Sequence, residues 1–258
     1  MVVDKLKLIT GAPIPCPELR TTITQPTVED IAFLGEKNFF TYLGFLRITR
    51  EAFLNTIDES NEYTPEEKEE VKKAYATASD FQIVMTICNE NIEVAQGVQT
   101  ILMLLFPGYN IIHIEEPFIS LKATNKPEAL IGDTGLRALN EIIDYMFKLN
   151  EVESTEEYRP ANKLAEEIAK KFQKRREKVA KEKGSDNEKA NEAIIATFVS
   201  NLSVALGLDV GVIKKWTIYQ LFTQMKRYNL FTQYDQQVRA AMIGGSDGIE
   251  WVDWTQQL

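Results

Sequence analysis

The chain has 258 residues, 44% of them hydrophobic and 10% aromatic, and a formal charge of −9 at pH 7. That apolar content supports a packed core and excludes wholesale disorder. The negative charge argues against a nucleic-acid binder driven by overall electrostatics, because phosphate contacts need net positive surface.

A chain of this length forms one large domain or two small ones. Its two cysteines, Cys16 and Cys88, have no CxxC spacing, which suits a reducing compartment and excludes a disulfide framework. The opening Met1–Ile9 lacks the apolar run and cleavage site of a signal peptide. The most hydrophobic run, Ile101–Phe106, is far shorter than the roughly 20 residues that span a bilayer. A soluble, intracellular protein with no membrane partner is expected.

Residues 1–26 are rich in proline and β-formers, with Pro13, Pro15 and Pro17 followed by a threonine-rich piece. They read as an extended arm or edge strand lying on the body. Thr27 with Asp30 three residues on makes a helix start, and the helix continues through Ile31, Leu34, Phe39, Tyr42, Leu43 and Leu46. A second helix starts near Arg50. The stretch from Glu51 to Glu70 holds eight carboxylates against Lys68 alone. It lacks the register of a calcium loop and reads as a solvated face. Thr64-Pro65-Glu66-Glu67 opens another helix. Its pattern runs on to about Phe106, with a break expected near Gly97.

Pro107-Gly108 ends that run. Residues 110–131 then alternate as two or three short strands, Ile111–Ile114, Phe118–Lys122 and Ala129–Ile131. Gly135–Leu149 returns to helix. An acidic, polar linker is expected over 150–157. A lysine-rich helix comes next over 160–184, with nine Lys or Arg against four Glu. It reads as a solvent-exposed helix laced with Glu–Lys pairs; in a functional role it would meet an acidic protein surface before nucleic acid. Lys189–Leu206 and Thr217–Ile243 are the last two helices, joined by the apolar turn Leu208–Ile213.

The residue types that carry chemistry are sparse. His113 is the only histidine and has no Cys or His partner at zinc spacing. Cys16 lies between prolines with nothing to lower its pKa. No GxxxxGK[ST] or GxGxxG loop is present, and Asp133-Thr134-Gly135 precedes a helix, where a cap explains it. No catalytic residue, metal site or cofactor is expected, and the protein reads as a non-enzyme.

The end of the chain is different. Ile218, Leu221, Phe222, Met225, Tyr228, Leu230 and Phe231 give the last helix a wide apolar face, and Ile249-Glu-Trp251-Val-Asp-Trp254 comes after a glycine-rich turn. Tryptophan buries much area at little entropy cost and is enriched at binding hot spots. The terminal pair either packs back on its own domain or docks a partner. The candidate partner-binding residues are Trp216, Tyr219, Phe222, Trp251 and Trp254.

The pattern Leu221-Phe-Thr-Gln-Met-Lys-Arg-Tyr228, Tyr234-Asp-Gln-Gln-Val-Arg-Ala-Ala-Met242, Gly244-Gly245 and Trp251-Val-Asp-Trp254 resembles the C-terminal ends of tail-module proteins of long-tailed bacteriophages infecting Gram-positive bacteria. Gln25–Gly35 with Tyr42-Leu43, and Arg159-Pro-Ala-Asn-Lys-Leu-Ala165, are similar to other parts of such proteins. These are loose patterns, not signature motifs. The resemblance implies a helical tail assembly chaperone that binds a tape-measure or other tail protein in the host cytoplasm. The alternative is a stoichiometric structural component of the tail or baseplate, found in the virion. The chain is longer than many such chaperones, and its strands at 110–131 are foreign to a purely helical one. Homo-oligomers are compatible with either reading. The expected fold is mainly α, or α+β with a minor strand pair in the N-terminal half and a helical C-terminal region. The expected domains are 1–150 and 158–258.

Overall fold

The structure is a computed structural model that describes residues 3–60, 63–115, 117–147, 194–244, 249 and 251–255. The chain divides into two compact units, Met1–Met146 and Phe147–Leu258. The described residues of each are mostly helical. The linker expected over 150–157 and the basic helix expected over 160–184 lie outside the described residues.

The N-terminal arm departs from the extended reading in its first turn. Asp4 accepts a hydrogen bond from the Leu6 amide at 2.9 Å, and Gly11 closes the helix α1 (Lys5–Thr10) in the left-handed region at φ 71°. This acid-and-glycine bracket outweighs the β preference of Leu8 and Ile9. The prolines then begin the expected extended piece. β1 (Ile14–Cys16) pairs antiparallel with β2 (Thr21–Ile23). Buried Gln25 holds the arm down, its Nε2 donating to the Lys7 and Ala12 carbonyls at 2.9 Å each.

Thr27 and Asp30 form the expected capping box, with Asp30 accepting from the Thr27 amide at 2.8 Å. The box opens two helices rather than one, α2 (Val28–Leu34) and α3 (Glu36–Leu46), because Gly35 takes φ 86° between them. Thr49 caps α4 (Arg50–Glu59), and a Thr64–Glu67 box opens α5 (Pro65–Tyr75).

The long helix expected from 64 to 106 is three helices. α5 ends at Tyr75, Ser79 and Gln82 box the start of α6 (Asp80–Glu90), and Asn91 caps α7 (Ile92–Leu105) by accepting from the Glu93 and Val94 amides. Polar side chains that satisfy the first free amides of a helix also mark where the previous one stops. Gly97, expected to break the helix, lies inside α7 against the ring of Tyr42, where a Cβ would collide with it. It is a close-approach glycine between α3 and α7.

α7 is central to this unit. Its Val98, Ile101, Leu102 and Leu105 are buried against α3 and α6 on one side and the sheet on another. That sheet has three strands, β3 (Ile111–Glu115), β4 (Phe118–Ala123) and β5 (Lys126–Ile131), in antiparallel order. Ile112, Ile119, Leu121, Ala129 and Ile131 form its buried face. α8 (Asp133–Phe147) comes next, beginning at Asp133, two residues before the expected start.

The second unit contains α9 (Ile194–Leu206), the short α10 (Val210–Ile213) and the long α11 (Ile218–Gly244). The apolar turn expected over Leu208–Ile213 is thus partly helical, with Asp209 accepting from the Gly211 amide at 2.6 Å. At 27 residues α11 is about 40 Å long. The 13 residues of α9 span only about half of that.

Candidate functional site

α11 begins with a reciprocal box. The Thr217 amide donates to Gln220 Oε1 at 2.8 Å, and the Gln220 amide donates to Thr217 Oγ1 at 3.3 Å. This fixes the rotation of the helix. Ile218, Tyr219 and Leu221 turn inward, with Ile195, Leu202 and Ile213 also buried in this unit. Phe198 of α9 and Phe222 of α11 meet edge to face at 5.6 Å.

Farther along, the chain returns over α11. The ring of Trp254 stands edge-on to Phe231 at 5.5 Å and lies 6.4 Å from Tyr234, and Trp251 lies 6.0 Å from Tyr234. Two hydrogen bonds fix the backbone of this segment. Arg227 Nη1 donates to the Trp254 carbonyl and the Val252 amide donates to Gln237 Oε1, each at 2.8 Å. Arg227, Phe231 and Tyr234 stand at i, i+4 and i+7, which places them on one stripe of the helix.

The five residues expected to bind a partner do not share one surface. Tyr219 is 4% exposed and belongs to the core. The first turn of α11 aims it inward, which corrects its place among the docking candidates. Phe222 is half-buried against Phe198. Trp216 is half-buried in the turn before α11. Trp251 and Trp254 lie on the Phe231–Tyr234 stripe, roughly 120–180° around the helix from Phe222 at 100° per residue. The terminal pair packs back on its own helix and still remains 49% and 37% exposed, with Phe231 at 49%.

Phe231, Tyr234, Arg227 and Gln237 are the members that sequence reasoning missed as site residues. The heptad-like spacing of the first three was the available signal. Nothing in the sequence tells that Gln237 accepts from a backbone amide fifteen residues on.

The N-terminal unit holds a polar cleft of about 650 Å³ between the starts of α4, α6 and α8 and the polar face of α8. Its charges are partly matched from within. Arg47 pairs with Asp144, the Arg50 amide donates to Asp80 at 2.7 Å, and the Arg50 guanidinium donates to the Ala76 carbonyl at 2.7 Å.

His113 is exposed on the outer face of the sheet, opposite Ser120. Burial, together with the Glu18 carboxylate, raises the Cys16 thiol above its ordinary value, and burial pushes Cys88 up to about 11. Both shifts disfavour the thiolate that a nucleophile requires. Among the described residues no group of three or more His, Cys, Asp or Glu is placed to hold a metal ion. None of the described helices is long and apolar enough to cross a membrane.

Residues 186–258 match the family model described as the YomV second domain. The match covers less than half of the chain and includes α9, α10, α11 and the tryptophan tail. No curated protein and no solved structure matches the chain.

Proposed function

We propose that this protein is a non-catalytic component of phage tail morphogenesis, a tail assembly chaperone that holds a long helical tail protein through the aromatic end of its C-terminal unit. The observation that carries the reading is the ring cluster of Phe231, Tyr234, Trp251 and Trp254. Large aromatic side chains left half in water on a stable helix are what a hot spot offers a partner. Phe222 and Trp216, on other faces of the same unit, extend the contact to a partner that wraps the domain. The family match supports the phage context of this reading and not its tail role: YomV is a Bacillus prophage-region protein, and the matched residues include this surface.

Two pools from phage-producing cells test the reading: tagged chain isolated from lysate, and purified particles, both analysed by mass spectrometry. The expected result is a long coiled-coil tail protein recovered with the chain from lysate, and no chain in particles. Recovery should be lost in the Trp251→Ala, Trp254→Ala double variant while its circular dichroism is unchanged. A fixed copy number in purified particles overturns the chaperone reading and makes the chain a structural part of the tail.

A further inference from the structure

The last turns of α11 carry Phe231, Tyr234, Val238 and Ala241 at alternating spacings of three and four residues. That rhythm keeps a single seam turned towards a second helix. The tryptophan tail contacts it at Phe231 and Tyr234. Beside its far end Met242 is 83% exposed. Between Phe231 and Ala241 the seam is also locally neutral on a chain of charge −9. From Tyr228 to Ile243 its charged residues are Asp235 and Arg239, which pair with each other at 2.8 Å. Arg227, one turn before Phe231 on the same stripe, adds a positive charge rather than a negative one.

We propose that this seam is an interface with α11 of a second copy of the chain, and that residues 251–254 are a tethered cap that competes for it. Two features favour a second copy over an unrelated helix. An antiparallel pair about a two-fold axis between Tyr234 and Val238 sets Phe231 against Ala241 and Tyr234 against Val238, large against small at each level, so the seam complements itself. Its internally neutralised Asp235–Arg239 pair also makes it a place where two strongly negative chains meet with little local repulsion. The cap holds the site through contacts a helix would replace. Trp251 and Trp254 fill the ring positions, and Arg227 and Gln237 satisfy one carbonyl and one amide of the tail. The proposal concerns the surface named for the tail partner but reads self-association, so either can fail while the other holds.

The test is analytical ultracentrifugation of the full chain and of a chain ending at Gly248, over a range of concentrations at physiological ionic strength. The full chain is expected at the mass of one copy. The shortened chain is expected to move towards twice that mass as concentration rises, and Phe231→Lys in the shortened chain should return it to one copy. If truncation harms folding, Gln237→Ala with Trp254→Ser in the full chain releases the cap instead, and the same doubling is expected. A folded, uncapped chain that stays at one copy throughout overturns the proposal. So does a dimer that Phe231→Lys leaves intact, or a full chain that is already dimeric and indifferent to the tail.

Discussion

Replacing Trp254 with alanine should release the tail without unfolding the domain. Trp254 is 37% exposed, so about three-fifths of a residue that buries up to about 250 Å² is covered, or roughly 150 Å². At about 25 cal/mol per Å² this is worth about 4 kcal/mol. The extended-chain reference overstates burial, and alanine keeps one methyl, which leaves about 2–3 kcal/mol. Loss of that amount shifts the docking equilibrium by roughly 30- to 150-fold. The most direct reporter is the Val252 amide, which donates to Gln237 Oε1 at 2.8 Å. Its hydrogen exchange should accelerate by about that factor, up to the limit of a fully open tail. The midpoint of thermal unfolding should hardly move, because the core of Leu202, Ile213, Ile218 and Leu221 is untouched. An unchanged Val252 exchange rate would refute the docking of this tail on α11.

Three further outcomes are expected. Gly97→Ala should lower the thermal midpoint by an amount equivalent to about 1–3 kcal/mol, since the overlap with the Tyr42 ring outweighs the roughly 1 kcal/mol gained by removing a helical glycine; equal or greater stability would show that the ring swings aside. Cys88 should resist iodoacetamide in the native protein and react on denaturation, since burial holds its thiol near 11. Its contribution to stability should fall as pH rises above the ordinary value of 9.0, where the unfolded thiol ionises first. The Glu67 carboxylate is held below its ordinary value of 4.5 by the Thr64 amide and hydroxyl. The support this box gives α5 is present above that value and is lost as pH falls through the lower folded value; Glu67→Gln should flatten the acid side of the melting profile.

Where a helix starts was legible wherever a short polar side chain stands three residues before an acid, as at Thr27 and Thr64. The start at Thr217 was legible too, although its box partner Gln220 is an amide. The equivalent Ser79–Gln82 box was overridden by the apolar periodicity running through it. Periodicity reports a face. It does not report a stop, so α5, α6 and α7 merged into one. Gly97 was misread because a glycine in a helical pattern has two physical uses, as a break or as a contact, and only the position of Tyr42 on another helix distinguishes them. The aromatic character of the C-terminal site was visible in Trp251 and Trp254. Its receptor was not, because the pairing of tail and helix depends on where the chain reverses, and Arg227 and Gln237 act there through backbone groups that no side-chain pattern marks.

The half-exposure of the tail rings has an energetic meaning of its own. A short tether holds a segment near its site at an effective concentration in the millimolar range. A second molecule present at micromolar concentration therefore meets a handicap of about a thousandfold, or about 4 kcal/mol. The tail meets that competition with two ring systems that leave 49% and 37% of Trp251 and Trp254 in water and with two hydrogen bonds. A helix lying along Phe231, Tyr234, Val238, Ala241 and Met242 would engage more of α11 than the tail does, because Met242 is 83% exposed with the tail in place. Area gained beyond the reach of the tail is the term that lets an incoming helix overcome the tether. Extending the apolar seam should therefore favour the open form and shortening it should favour the closed one. Met242→Lys should leave Val252 exchange unchanged in the single chain yet weaken self-association of the tail-less chain. A Met242→Lys chain that altered neither process, or disturbed both, would place the seam elsewhere on α11.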